Sequence, residues 1–224
     1  MDILAELEKA GAVLLDKHFV YKSGKHGSGY INMDPLFPRI ALIETIGTEL
    51  VAPFRTTWTD SHRPPAQTVA APATGGILLA FAAAKAWNRG TLKNPLAAVW
   101  ADKDGDEFAF ERAGFTDHLN GKNVLVVEDL LTTGESAEKV CREAEKHGAN
   151  IIGISAIINR GGVTASDLGV PRLEAIADVS FEAINAHLCP LCASDVPIVE
   201  DIGHGTAFKE KNPNYAGGYT RLLS

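Results

Sequence analysis

Val124-Leu125-Val126-Val127-Glu128-Asp129-Leu130-Leu131-Thr132-Thr133-Gly134-Glu135-Ser136 joins an apolar run to an acidic pair and then to a turn rich in hydroxyls. Val124 to Val127 predict a buried strand over 123–128 that delivers Glu128 and Asp129 to its carboxyl end. A helix that starts near Glu135 or Ser136 would aim its unpaired amides and positive dipole end at the turn. Carboxylates accept hydrogen bonds from the vicinal hydroxyls of a sugar, and a helix start donates to phosphate. The run therefore predicts a sugar-phosphate site, with Glu128 and Asp129 on the sugar and Thr132, Thr133, Gly134, Glu135 and Ser136 on the phosphate. An acidic pair beside a phosphate makes sense when sugar hydroxyls or magnesium lie between them. The run is not a Walker loop, because no Gly-Lys-Ser/Thr is present.

On either side of this run, strands alternate with helices. Residues 67–71 read as a strand and 77–87 as an alanine-rich helix. Residues 95–100 form the next expected strand, followed by a polar stretch; 136–147 read as a helix and 151–158 as another buried strand. Helices are also expected at 1–17 and 41–54. This βαβ series predicts an α/β fold, a largely parallel sheet flanked by helices. Ligands of such sheets bind beyond the carboxyl ends of the strands. Pro72-Ala73-Thr74-Gly75-Gly76 is a second loop of that kind, and Thr74, Gly75 and Gly76 are suited to a pyrophosphate. Asn159-Arg160-Gly161-Gly162 follows the strand at 151–158. Interrupted by Gly, Pro and Asn, the chain after Cys189 reads as loop-rich.

With 224 residues, 46% of them hydrophobic, the chain can bury a full core, and its formal net charge of −7 offers no general field for nucleic acid. Met1 to Lys17 carries Asp2, Glu6 and Glu8, which fits neither a signal peptide nor a spanning helix, so a cytoplasmic protein without membrane partners is expected. Three cysteines argue against a disulfide scaffold. Cys189-Pro190-Leu191-Cys192 has metal-ligand spacing, with His187 and His204 nearby in sequence, but a structural zinc site normally uses two such pairs. A reduced tight turn is the expectation there. His18, His62, His118 and His147 have no evident partner and read as surface or structural residues. Asp201-Ile202-Gly203-His204-Gly205 has no physical account at this level.

Tyr21-Lys22-Ser23-Gly24-Lys25-His26-Gly27-Ser28-Gly29-Tyr30-Ile31-Asn32 packs cationic groups, serines and glycines into one loop suited to an anionic ligand. The run at 124–136 resembles the phosphoribosyl pyrophosphate signature of the type I phosphoribosyltransferases. Lys22-Ser23-Gly24-Lys25-His26, Tyr30-Ile31-Asn32, Asn159-Arg160 and Cys189-Pro190-Leu191-Cys192 resemble segments of the orotate phosphoribosyltransferases. The resemblance covers most of residues 15–200. It implies a type I phosphoribosyltransferase-like fold, a single domain over 1–224 with a small hood from about 1–35 and 180–224, and a homodimer.

The resemblance also implies phosphoribosyl transfer to orotate with magnesium (Mg2+). Lys103, Asp129 and Glu128 would be catalytic. Lys22, Thr74, Gly75, Gly76, Arg112, Glu128, Asp129 and Thr132 to Ser136 would hold phosphoribosyl pyrophosphate, and Lys22, Thr132 and Arg160 would hold orotate. The family's cationic loop is thinned here to Lys103, with Arg112 as a second cation and Ala113 interrupting the expected Arg-Gly step. Ala101 to Asn120 has the length and polarity of a lid. Two alternatives stand beside this reading: a phosphoribosyltransferase for a purine or other base, and a sensing regulator that binds phosphoribosyl pyrophosphate without catalysis. Lys22 and Arg160 speak against the first, and the lack of a basic face or helix-turn-helix speaks against the second.

Overall fold

The computed structural model describes residues 2–55, 65–88 and 95–222. In chain order the elements are α1 (Ile3–Ala10), β1 (Val13–Leu14), β2 (Phe19–Val20), β3 (His26–Gly27), β4 (Tyr30–Ile31), α2 (Ile40–Val51), β5 (Thr68–Pro72) and α3 (Gly75–Trp87). They continue with β6 (Ala97–Asp104), β7 (Glu107–Ala109), β8 (Asn123–Leu131), α4 (Glu135–Lys146), β9 (Asn150–Asn159) and β10 (Leu173–Asp178). The last are α5 (Pro190–Ala193), β11 (Ile198–Val199), α6 (Gly205–Lys211) and β12 (Tyr219–Thr220). The chain divides into two compact units, one of Leu36–Ser180 and one of Asp2–Pro35 with Phe181–Ser224.

The larger unit is built on a six-stranded sheet in the order β10-β9-β8-β5-β6-β7. Every neighbouring pair is parallel except β6 with β7. The β5-α3-β6 crossover moves along the sheet in one direction and β8-α4-β9 in the other. Right-handed crossovers therefore put α3 and α4 on opposite faces. Strand alternation agrees: Val124, Val126, Ile154 and Ala156 form a buried cluster with Ala137, Val140, Cys141 and Ala144 of α4. On the other face α2 packs closely on α3 at Gly47, where an added Cβ would lie 2.5 Å from the backbone of Ala82.

Two strands run further than their composition predicts. β8 continues through the acidic pair to Leu131, because Leu130 and Leu131 keep pairing with Ile158 and Asn159 of β9. β6 continues past Trp100 to Asp104 and turns back through Gly105, at φ +59, into β7. The first part of the expected lid, 101–109, is thus an ordered hairpin with Lys103 opposite Phe108. Ala101, Phe108, Phe110 and Leu119 anchor the stretch in the core, an apolar alternation masked in sequence by the surrounding acids. β10, an additional edge strand, is half-buried and lacks a strong apolar pattern.

In the smaller unit the first helix stops at Ala10, not Lys17, because Gly11 adopts φ +77 and turns its N–H back onto Glu8 and Leu7. Asp2 caps the other end by accepting from the Ala5 N–H. β1 pairs antiparallel with β4 and β2 antiparallel with β3, while β11 pairs parallel with β12. Phe19, Val199 and Ile202 form the local core, with Leu14, Tyr21, Tyr30 and Leu222 against them. The tail expected to be loop-rich contains α5, α6 and two short strands.

Candidate active site

β8 carries the acidic pair within its last turn of pleat rather than beyond it. Successive residues of a strand face opposite sides, so Glu128 starts toward the α4 face with Val126, and Asp129 toward the α3 face with Val127. Glu128 is 6% exposed and its carboxyl accepts the Asp129 N–H at 3.1 Å. Burial first, and the charge of Asp129 second, hold the Glu128 carboxyl well above the usual carboxylate range.

Below Glu128, the turn Thr132-Thr133-Gly134 leads into α4. Gly134 is at φ +78, and an added Cβ would lie 2.8 Å from Leu168 Cδ2, so both backbone and space call for glycine. Among the described residues no side chain caps α4, and the Glu135 N–H reaches the Thr133 hydroxyl at 3.4 Å. A cavity of about 190 Å³ opens here, lined by Glu128, Leu130, Leu131 and Thr132 to Ser136. Uncapped amides, two exposed threonines and a helix start make this cavity an anion cradle. Glu135 turns to Lys139, 2.6 Å away, which with lesser help from Arg142 and Lys103 keeps its carboxyl below the usual range. Its charge is thereby partly neutralised beside the cradle.

The second cradle is at the start of α3, on the Asp129 side. Thr74 is exposed and caps with backbone only; the Ala73–Thr74 peptide bond is cis. A Cβ on Gly75 would stand 2.5 Å from Asp129 Oδ2, so the glycine is what lets this loop lie against the carboxylate. The third loop, 159–162, closes against the first. Arg160 and Gly161 both donate their N–H to the Leu131 carbonyl, at 2.8 and 3.2 Å. Gly161 lies directly on the Thr132 carbonyl, leaving no room for a side chain. The buried Asn159 amide pins the loop by exchanging two hydrogen bonds with the Val163 backbone.

The structure thus brings together Glu128, Asp129, Thr74 to Gly76, Thr132 to Ser136 and the backbone of Arg160. Lys103 is exposed on the hairpin that packs on α4, close enough to act on Glu135. Lys139 bonds the Asp106 carbonyl at 2.5 Å, holding the hairpin tip to that helix. Arg112 is engaged elsewhere: its guanidinium grips both oxygens of Asp102, at 2.9 and 3.3 Å, and stacks over Trp100. Lys22 belongs to the smaller unit, in the turn between β2 and β3. His26, counted among the cationic groups of that loop, is fully buried; desolvation, then the neighbouring His18, lowers its pKa to about 4, so it brings no positive charge. His118 is exposed and His147 half-buried against Glu143, whereas His62 lies outside the described residues.

Sequence reading did not anticipate Asn159 as the pin of its loop, nor Val163 and Leu168 as the wall behind Gly134. Nothing in local pattern distinguishes these from ordinary core positions. A larger hollow, about 1100 Å³, opens at the amino ends of β5, β6 and β8. It lacks both the acidic pair and a helix start, so the chemistry belongs to the smaller cavity. Among the described residues, no helix is long and apolar enough to cross a membrane.

Residues 55–172, which hold all three loops, match the phosphoribosyl transferase domain. The orotate phosphoribosyltransferase of Thermus thermophilus is 34% identical over 200 residues, covering 89% of this chain and 100% of that protein. Among solved structures, orotate phosphoribosyltransferase of Mycobacterium tuberculosis H37Rv in complex with inorganic phosphate has a TM-score of 0.54 at 21% identity, covering 79% of this chain and 95% of that one. Adenine phosphoribosyltransferase of Saccharomyces cerevisiae also has a TM-score of 0.54, at 18% identity over 78% of this chain and 98% of that one, so the fold alone does not choose a base. By domain match and by kinship along nearly its whole length, the chain belongs to the phosphoribosyltransferase family and groups there with proteins named orotate phosphoribosyltransferase.

Proposed function

We propose that this protein transfers the phosphoribosyl group of phosphoribosyl pyrophosphate to orotate, yielding orotidine 5′-phosphate and pyrophosphate in pyrimidine nucleotide synthesis. The observation that carries the reading is the acidic pair standing between two uncapped helix starts, one for each phosphate end of the donor. Kinship with orotate phosphoribosyltransferases supports the choice of base.

In this reading the cradle at 132–136 takes the 5′-phosphate and the loop at 74–76 takes the pyrophosphate. Glu128 and Asp129 accept from the ribose hydroxyls. The bond from the anomeric carbon to pyrophosphate breaks as a ring nitrogen of orotate bonds to that carbon and gives up its proton. Positive charge that develops on the sugar is favoured by the adjacent carboxylates, so catalysis rests on positioning and electrostatics. Lys103, Lys22 and Arg160 are the proposed cations for pyrophosphate and orotate; Arg112 would join them only after leaving Asp102.

Magnesium fits the donor set in one way. Among the described residues no carboxylate cage stands here, but Asp129 Oδ2 lies beside the proposed pyrophosphate loop. That suits a cation that keeps its waters and is held through substrate oxygens, with Asp129 as the nearest protein donor, and it would supply charge neutralisation for the leaving group. A cytoplasmic homodimer completes the proposal.

The test is pyrophosphate release from phosphoribosyl pyrophosphate with magnesium, comparing orotate with adenine, hypoxanthine, xanthine and uracil. Turnover with orotate alone is expected. Turnover with a purine would discard the base assignment, and binding of phosphoribosyl pyrophosphate without turnover on any base would favour a sensing role.

A further inference from the structure

The smaller unit contains a cluster that the transfer reaction does not use. His18, His26, Cys189 and Cys192 each direct one ligand atom into the same space, and the four atoms lie within 4.8 Å of one another. His18 and His26 are 0% exposed and Cys189 is 3% exposed. The partners are not His187 and His204, the neighbours in sequence, but two histidines from the opposite end of the chain. The fold explains their meeting. Val20 pairs with His26 across the β2–β3 hairpin, and His18, two residues before Val20, shares its face, so the two imidazoles are diagonal neighbours. Cys189 precedes α5 and Cys192 lies in it, which turns both sulfurs the same way. The His26 backbone exchanges hydrogen bonds with Ile184, and the Val199 N–H donates to the His18 carbonyl, fixing both strands against the cysteine segment.

Distances and tautomers suit a metal. His18 Nε2 is 2.9 Å from His26 Nδ1 and 3.7 Å from each sulfur; His26 Nδ1 is 3.3 Å from Cys192 Sγ. A tetrahedral zinc site with ordinary bond lengths has ligand separations of about 3.3 Å between nitrogens and about 3.6 Å between nitrogen and sulfur. Shifts of a few tenths of an ångström, outward for His26 and slightly inward for the sulfurs about His18, convert one arrangement into the other. His18 Nδ1 lies 2.8 Å from the Val196 carbonyl, to which it donates, so the lone pair of its Nε2 faces the cluster. An N–H held by a backbone carbonyl is the usual orienting partner of a metal-bound imidazole. The Tyr215 hydroxyl donates to the same carbonyl, and Phe208 stands edge-on to His26. His26 Nε2 is buried with no hydrogen-bond partner among the described residues.

We propose that His18, His26, Cys189 and Cys192 bind one zinc ion in a closed tetrahedral site. Two thiolates and two imidazoles are the ligand set of structural zinc, whereas iron–sulfur clusters take four cysteines and magnesium or calcium takes oxygen. Four protein ligands leave no position for substrate, so the ion is structural. It fastens the hairpin near the N-terminus to the C-terminal segment, closing a loop of the whole intervening chain.

The tag-free full-length protein, purified in reducing buffer without chelator, should carry about one zinc per chain by elemental analysis. His18→Ala, His26→Ala, Cys189→Ser and Cys192→Ser should each lower that content at least about tenfold. Because such variants can lose zinc by failing to fold, the wild-type protein is also stripped under reducing conditions and titrated with cobalt(II). Sulfur-to-cobalt charge transfer and the intense bands of a tetrahedral ion are expected, displaced by zinc. Thiol titration gives a third readout: Cys141 is buried in α4, its pKa pushed up to about 12, so chelation should add two reacting thiols. Absence of zinc together with a pale octahedral cobalt spectrum would overturn the site. So would a Cys189–Cys192 disulfide in protein isolated under reduction, or zinc content unchanged in all four variants.

Discussion

Glu128 carries its charge at a cost, because its carboxyl is nearly enclosed and faces Asp129. A carboxyl whose folded pKa is raised contributes its full stability below the ordinary carboxylate range and loses it as pH rises through the raised value. Glu128→Gln removes that loss. Thermal unfolding should show the variant gaining on wild type above about pH 5, by about 2–4 °C per kcal/mol relieved, and no gain near pH 4. Parallel pH curves would contradict the enclosed charge. The same variant should lose turnover, since the amide cannot supply negative charge to the sugar. Asp129→Asn, beside Gly75, should lower kcat at least about 10²-fold, measured as pyrophosphate release. Both acids were legible as ligand groups from their position after an apolar run. Their separation onto two faces was not, because it depends on Leu130 and Leu131 pairing with β9 and carrying the strand past them.

The phosphate-facing turn and the β6–β7 hairpin behave differently as elements. Gly134→Ala forces a side chain into a left-handed position against Leu168, at about 1–2 kcal/mol for the backbone alone. Its expected signature is a raised KM for phosphoribosyl pyrophosphate together with a lower Tm; a change in Tm alone would separate the turn from binding. In the hairpin, Phe108 is 8% exposed and packs with Ala101 and Phe110. Phe108→Ala should cost about 3 kcal/mol and expose the amides of 101–109 to hydrogen exchange, while a stretch that is a free lid would show no protection to lose. The strands at 67–71, 123–128 and 151–158 and the helix entries that follow the first two were readable because apolar runs and glycine-bearing turns are local signals. The hairpin was not, since acids at Asp102, Asp104, Asp106 and Glu107 hide the apolar residues that anchor it.

For the molecule as a whole, the proposed homodimer is checked by sedimentation: a single species of about twice the chain mass at micromolar concentration is expected, and a monomer would remove it. The division into units of 36–180 and of 2–35 with 181–224 bears on where stability is lost first. Chelating the proposed zinc should lower the hydrogen-exchange protection of β2, β3 and α5 first and that of β8 and β9 least. From the linear chain one can derive the parallel α/β sheet, the acidic pair and the two glycine-bearing loops, because apolar periodicity, helix-entry chemistry and glycine all act over a few residues. Tertiary structure alone decided that Arg112 grips Asp102, that Asn159 pins its loop, and that His18 and His26 meet Cys189 and Cys192. The first two contacts lie 10 and 4 residues apart in sequence, yet nothing in the local pattern says which way either side chain turns; the last joins positions as far as 174 residues apart, and no local preference of the backbone records which distant side chain will fill the space that folding leaves.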